Sequence, residues 1–282
     1  MKKILAIIAA AILPMTMFAQ AQITTKKLKI ADFTDKTTKI VLTGNTMFDG
    51  VYQKVARETW TVSPYEFCTQ SDFEKLKSDP DYYFLMIVTG QFKKEAEPGI
   101  ELLGLFKGGM GSSEGVNEML EVATIPFRPV ADPEGREYVM LPALLQIIQQ
   151  ITLDCMEKDI NSFTGLSNST NKLSGSKQMR IAIANEDCSE EINKNYKLIY
   201  GRNGIEFMDV EDVDDLMDEG AANTLVSYIV APIDAVVGSY CYKMLISCED
   251  HSLYMYRRHR IGKKSPKGLL VEDFKKIESA RQ

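Results

Sequence analysis

Histidine is nearly missing from this chain: two residues in 282, His251 and His259. Chemistry built on clustered imidazoles, whether zinc binding or general-base relays, has little material here. Tryptophan occurs once, and no CxxC pair occurs. Positive charge is also short, with 33 Lys and Arg against 39 Asp and Glu, a net of 33 − 39 = −6. A chain of that balance is not built as a whole to hold nucleic acid, whose phosphates require clustered cations. Cysteine is sparse: Cys68, Cys155, Cys188, Cys241 and Cys248. Five is odd, so at least one thiol stays unpaired within the chain even in an oxidising compartment. Cys241 and Cys248 fall on one expected strand, seven residues apart. They face opposite ways with Cα atoms ~20 Å apart and cannot bridge there. Small core residues are the expected role of these cysteines. Past the first 21 residues, no stretch reads as an apolar membrane span.

What is present is an ordinary globular mixture, 45% apolar and 26% charged, long enough for one large domain or two modest ones. Residues 1–21, MKKILAIIAAAILPMTMFAQA, have the layout of a cleaved export signal. Lys2 and Lys3 start it, Ile4–Leu13 form an apolar run, and Ala19-Gln20-Ala21 supplies a small-x-small cleavage pattern. The apolar core falls short of the ~20 residues a span needs. The mature chain is expected to begin near Gln22 with 31 − 39 = −8 charges, followed by an N-terminal extension over 22–38. No cysteine near the cleavage point supplies a lipid-attachment box. These features predict a bacterial protein, periplasmic or secreted, with no transmembrane segment after processing.

Beyond the extension, one order of elements occurs twice, which reads as an internal duplication. In the first copy, 39–160, a strand KIVLT (39–43) leads through Asn45 to a helix over 50–59 and a strand over 61–68. Ser71, with Glu74 three positions on, predicts a capped helix SDFEKLKSD. DYYFLMIVTG then reads as a strand buried on both faces. A hairpin follows, IELLGLFKGG to NEMLEVATIPF, and a helix is expected from Pro142, striped by Leu144, Leu145, Ile148, Ile151 and Cys155. In the second copy, 179–282, the strands MRIAIA, GIEFMDV and TLVSYIVAPID alternate with a helix from Ser189 and a helix VEDVDDLMDEG. Val213 and Leu216 stand there in the places of Phe73 and Leu76. A hairpin, SYCYKMLISC to LYMYRRHRI, and a closing helix GLLVEDFKKIESARQ complete it. Between the copies, 161–178 has twelve Asn, Ser, Thr or Gly in eighteen positions and reads as a polar, flexible linker. The fold class is therefore α/β, mixed sheets with helices, in two tandem, similar domains.

That order, with an export signal, resembles the small α/β domains of bacterial envelope proteins. The amino-terminal domain of the Tol-system propeller protein and the periplasmic domain of the curli secretion lipoprotein are examples. The resemblance lies in element order over nearly the whole mature chain. It implies a non-catalytic envelope module and transfers no functional residue.

Several stretches invite chemistry. KGGMGSSEG (107–115) is glycine-rich, but no lysine follows the glycines and a strand comes next, so it reads as a hairpin turn. Residues 206–219 carry eight carboxylates without the glycine of a calcium loop, and Val210, Val213, Leu216 and Met217 give them a helical face. The run CEDH brings Cys248 near His251, a conceivable thiolate pair, although in an exposed turn. No GxSxG elbow occurs. No catalytic, cofactor or metal site is expected.

The distinctive feature is basic. Arg257, Arg258, Arg260, Lys263, Lys264 and Lys267 place six cations in eleven residues, with Tyr254 and Tyr256 preceding them. Tyr240 and Tyr242, on the facing strand, share one side of it. These residues form a candidate anion-binding site, or alternatively a solubilised edge strand. The expected function is a binding or assembly module of the envelope whose partner is another envelope protein or an anionic envelope component, not nucleic acid. The alternatives are a secreted hydrolase or transferase with its site between the copies, and a structural subunit of an envelope complex. Mass spectrometry of the native protein should find a chain starting near Gln22. An intact Met1, or lipid on a cysteine, would contradict the processing.

Overall fold

A computed structural model describes residues 16–18, 30–109, 112, 115–131, 135–158, 162–201 and 204–282. Most of the expected leader, residues 22–29 of the extension and residue 161 lie outside the described residues. So do four positions of the glycine-rich turn. Within the leader, a strand β1 (Thr16–Phe18) pairs in parallel with Thr89–Gln91.

The first sheet contains β2 (Thr37–Val41), β3 (Tyr65–Cys68), β4 (Tyr82–Gln91), β5 (Ile100–Lys107) and β6 (Leu120–Pro129), in the order β3-β2-β4-β5-β6. β2 runs parallel to both β3 and β4, and β4-β5-β6 is an antiparallel meander. Its helices are α1 (Thr46–Thr59), α2 (Gln70–Leu76) and α3 (Arg136–Lys158). A helix α4 (Ser162–Asn168) and a 3-10 helix (Ser169–Ser176) lead to the second sheet. That sheet contains β7 (Arg180–Ala184), β8 (Ile205–Met208), β9 (Thr224–Val230), β10 (Tyr240–Ser247) and β11 (Leu253–Arg260), in the order β8-β7-β9-β10-β11. Its helices are α5 (Glu190–Asn195), α6 (Lys197–Gly201), α7 (Val210–Asp218) and α8 (Val271–Arg281). Parallel and antiparallel pairings repeat those of the first sheet strand for strand. The chain is α/β, with two five-stranded mixed sheets of one topology.

The sheets stack in the same sense. In the first, α1 and α3 cover the inner face and α2 covers the outer one. In the second, α7 lies inside while α5, α6 and α8 lie outside. One apolar core runs from Tyr83, Leu103 and Ile125 of the first sheet, through α1, α3 and α7, to Val226, Tyr228 and Met244 of the second. Separate outer cores gather on Phe73 of α2 and on Phe274 and Ile277 of α8.

Several local expectations shift. The cap of α2 is Thr69: its hydroxyl accepts the Asp72 N–H (3.1 Å), and the Asp72 carboxylate accepts the Thr69 N–H (3.4 Å). Ser71 is thus already helical, because an acidic residue three positions after Thr69 completes the box there. Helix α3 starts at Arg136, six residues before Pro142. An interior proline costs ~3 kcal/mol, and the burial of Met140 and Leu141 together with the ion pairs of Arg136 and Glu137 opposes that cost. An 18-residue window of the 23-residue α3 has mean hydropathy 1.4, so by length and composition alone this helix could cross a membrane, contrary to the reading that no later stretch is. Most of that stretch is buried between the sheets. The extension is not an appendage either. Ile30 and Phe33 are fully buried in the central core, and Asp32 accepts from the Tyr83 hydroxyl (2.6 Å) and Lys107 Nζ (2.7 Å).

The largest departure concerns 161–178. Its described part is helical and docked: Leu166 and Leu173 are buried, Thr170 Oγ1 donates to the Tyr256 carbonyl and accepts from its N–H (both 3.2 Å). Ser169 and Ser176 turn their hydroxyls onto carbonyls three residues back. Local side-chain bonds let a polar sequence close short helical turns without apolar periodicity. Replacing Leu173 by Ala should lower the unfolding free energy by ~2–4 kcal/mol and speed protease cleavage within 162–176. Urea titration with limited proteolysis reads both, and a loose, undocked connection would leave stability unchanged.

Candidate anion-binding face

All five cysteines are free and buried. Burial pushes the thiol of Cys248 up to about 12 and that of Cys68 up to about 11, so neither supplies thiolate near neutral pH. His251 faces a cavity of about 240 Å³ between the C-terminal part of α3, α4 and the β10–β11 turn. Burial lowers its pKa, and its backbone is left-handed at φ 57°. Ser252 Oγ donates to Asp250 (3.0 Å), not to His251, so CEDHS forms neither a thiolate pair nor a nucleophile–base pair. His259 meets the Pro266 carbonyl through Nε2 (2.8 Å). A carbonyl only accepts, so Nε2 carries the proton there, and Nδ1 is buried without a partner. Among the described residues, no group of three or more His, Cys, Asp or Glu is placed to hold a metal.

In α/β sheets, ligands favour the crevice outside the carboxyl ends of parallel strands where the strand order reverses. In the second sheet that crevice lies beyond β7 and β9. Arg136, from the first turn of α3, fills it. Its Nη1 donates to Asp187 (3.0 Å), Nε to Asp214 (3.0 Å) and Nη2 to the Ser227 carbonyl (3.1 Å). Ser227 Oγ in turn donates to Asp187 (2.6 Å) and accepts from the Ala184 N–H (3.0 Å). Burial acts to lower the guanidinium pKa, but the two carboxylates hold it above its ordinary value. A smaller cavity of about 90 Å³ remains beside it, bordered by Arg128, Glu137, Tyr228 and Lys267. Two residues of the acidic helix region, Asp214 and the cap Asp209, thus bind within the protein: Asp209 accepts from Asn185 Nδ2 (3.0 Å).

The basic stretch lies on β11, the edge strand, and the loop after it. Strand alternation divides it. Arg257 turns to the outer face and pairs with Asp273 (2.6 Å) at the start of α8. Asp273 is buried, also holds the buried Lys243 and accepts the Leu270 N–H (2.8 Å). Arg257 is therefore a structural cation. Arg258 and Arg260 turn to the other face and lie over the ring of Tyr240, at 5.0 and 5.3 Å from its centroid. Arg260 Nε also donates to the Tyr240 hydroxyl (2.8 Å). Tyr256 is buried in the central core, and Tyr254 packs partly buried against the outer one. A shift in pairing register between Leu245 and Ile246 sends these two tyrosines to opposite faces. Tyr240 and Tyr242 do share a face, yet Tyr242 is buried against Phe92, so no flat aromatic platform is open to solvent.

What stays exposed is Arg260, Lys263, Lys264 and Lys267. No described residue forms an ion pair with Lys263, Lys264 or Lys267. A tight turn closed by Gly262 and Ser265 (N–H to carbonyl, 3.0 and 3.1 Å) presents the first two. The loop is anchored at Gly268, where φ is +99° and a Cβ would lie 2.7 Å from the Ser189 nitrogen. Two further cations come from the β4–β5 loop of the first sheet, the exposed Lys93 and Lys94. The Lys94 side chain lies against Gly238, whose N–H donates to the Ile261 carbonyl (2.9 Å). Linear spacing gives no signal for this pair, which stands about 170 residues away from the hairpin's lysines.

Comparison with known proteins yields no match, whether to family models, to curated proteins or to solved structures. Replacing Arg136 by Met should cost ~3–5 kcal/mol in urea unfolding, because Asp187 and Asp214 would stay buried without their cation. A loss under ~1 kcal/mol would show that the pairing carries no such strain.

Proposed function

We propose that the chain is an exported, non-catalytic binding module of the bacterial cell envelope, holding a cationic face toward an anionic envelope component. The observation that carries this reading is the set of lysines at 263, 264 and 267. They stand exposed, without carboxylate partners among the described residues, on a protein of net charge −6. Fixed cations on an anionic protein form a local positive field that attracts phosphate or carboxylate groups and repels little else of the protein's own surface. Three features support a role in binding over chemistry. The strand-end crevice of the second sheet is filled by Arg136, the thiols are buried and protonated, and neither histidine is paired with a nucleophile. The export-signal layout of residues 1–21, and an element order that resembles that of small envelope domains, are what favour this compartment.

The separation of structural from exposed cations gives the test. Lys263→Gln/Lys264→Gln/Lys267→Gln should abolish salt-sensitive retention on phosphocellulose while the melting temperature barely moves, since exposed charges contribute ~0–1 kcal/mol each. Arg257→Gln should instead lower the melting temperature, because it strips a cation from buried Asp273. Flow-through of the unmodified protein at low ionic strength would refute the reading.

A further inference from the structure

Seven large apolar side chains are exposed among the described residues, and four of them gather at one end of the molecule: Val130, Ile233, Val236 and Val237. Three belong to the loop between β9 and β10, residues 231–239, and Val237 is 59% exposed. The loop has not simply failed to pack. Its Ser239 hydroxyl donates to Glu95 (2.5 Å), its Ser239 N–H to the Val236 carbonyl (3.0 Å), and its Gly238 N–H to Ile261. Val130 joins it through Gly99, whose carbonyl accepts the Val130 N–H (3.1 Å) and whose Cα packs so close to Pro232 that a Cβ would lie 2.6 Å from it. A braced loop therefore holds aliphatic side chains out in water, where each would otherwise gain by burial.

The charges beside this tip are those of the face already described. Lys94, next to Lys93 in the β4–β5 loop, flanks it at Gly238, and Lys263 and Lys264 follow the Ile261 backbone pairing. Lys267 shares the wall of the small cavity with Ile233. Asp234 and Glu97 are the exposed carboxylates of the same loops. A protein partner would call for ~800 Å² per side with aromatic anchors, and the four exposed apolar side chains of this patch are all aliphatic. A protruding aliphatic tip ringed by lysines has the form of an interfacial anchor. Its apolar groups enter the acyl boundary while its cations stay at the phosphate level.

We infer that the 231–239 loop and its surrounding lysines dock the protein reversibly on the surface of an anionic lipid bilayer. This inference rests on the anion-binding reading and names its partner as a membrane. Few aliphatic groups enter, so attachment needs the insertion and the charge together, and fails when either is removed.

The experiment is co-sedimentation of the mature protein with vesicles of phosphatidylethanolamine and phosphatidylglycerol, and with phosphatidylcholine vesicles as the neutral control. Binding is expected to the anionic vesicles only and to fall with salt. Val236→Asp/Val237→Asp should weaken it by ~100-fold, and Lys263→Gln/Lys264→Gln by ~30-fold. The valine variant should keep its retention on phosphocellulose and its melting temperature. Val237→Trp should show a blue shift of the added tryptophan's emission on anionic vesicles, since the native Trp60 is buried. If the aspartate variant sediments like the unmodified protein while phosphocellulose retention persists, the membrane inference is overturned and the anion-binding reading stands. If the unmodified protein binds neither support, both fall together.

Discussion

Helix α3 buries more than one face, and the arrangement of both sheets follows from that constraint. Thirteen of its 23 residues are buried, over roughly two thirds of its circumference, leaving only a stripe through Gln146, Gln150 and Glu157 half-buried or exposed. One sheet can cover only one face of a helix, so a helix with so wide a buried arc requires a second layer. The second sheet supplies it with the face that carries α7. The corresponding closing helix of the second half, α8, has no sheet beyond it. Its sequence agrees: charged residues occupy six of eleven positions, with Phe274 and Ile277 as its buried contacts. The two halves share a topology, but their closing helices serve different neighbours.

This stacking also explains where the buried charges sit. A helix wedged between sheets brings its first turn to the carboxyl ends of β7 and β9, where Arg136 meets Asp187 and Asp214. In a separate α/β domain that crevice would be open to ligand. Here the guanidinium of one half occupies the crevice of the other, and in doing so it joins the halves. Asp273 plays the matching part at the outer side, gathering Lys243, Arg257 and the N-terminal turn of α8 around one buried carboxylate. Cations committed to such carboxylates are unavailable to a partner. The lysines of the loop after β11 project from a turn held by glycine and remain free to meet one.

The helices and strands were largely readable from pattern. Continuous apolar runs predicted β4 and β9, a capping pattern predicted α2, the likeness of VEDVDDLMDEG to that segment predicted α7, and the two matching sets of elements occur along the chain in the expected order. The helix start at Arg136 was not readable, because proline at 142 is a local stop signal that only tertiary burial overrides. Nor was the docking of residues 162–176, whose serines close their own turns through side-chain bonds. In the basic stretch, the number of cations was legible and their division was not. Strand alternation separates Arg257 from Arg258, and the register shift near Leu245 separates Tyr254 from Tyr256. Lys93 and Lys94 join from a distant loop that no local pattern connects to the hairpin.

The amino-acid sequence by itself determined the α/β class, the repeated order of elements, the acidic balance and the concentration of cations near the C-terminus. Each is set by composition or by short-range periodicity, which survive any arrangement of the halves. Tertiary structure alone decided the stacking in one sense, the closure of the strand-end crevice by Arg136, and the meeting of an apolar loop with lysines from both halves. Those depend on which surfaces touch. The free energy of a contact belongs to the pair of groups brought together, and the partners here lie from about 50 to about 145 residues apart along the chain.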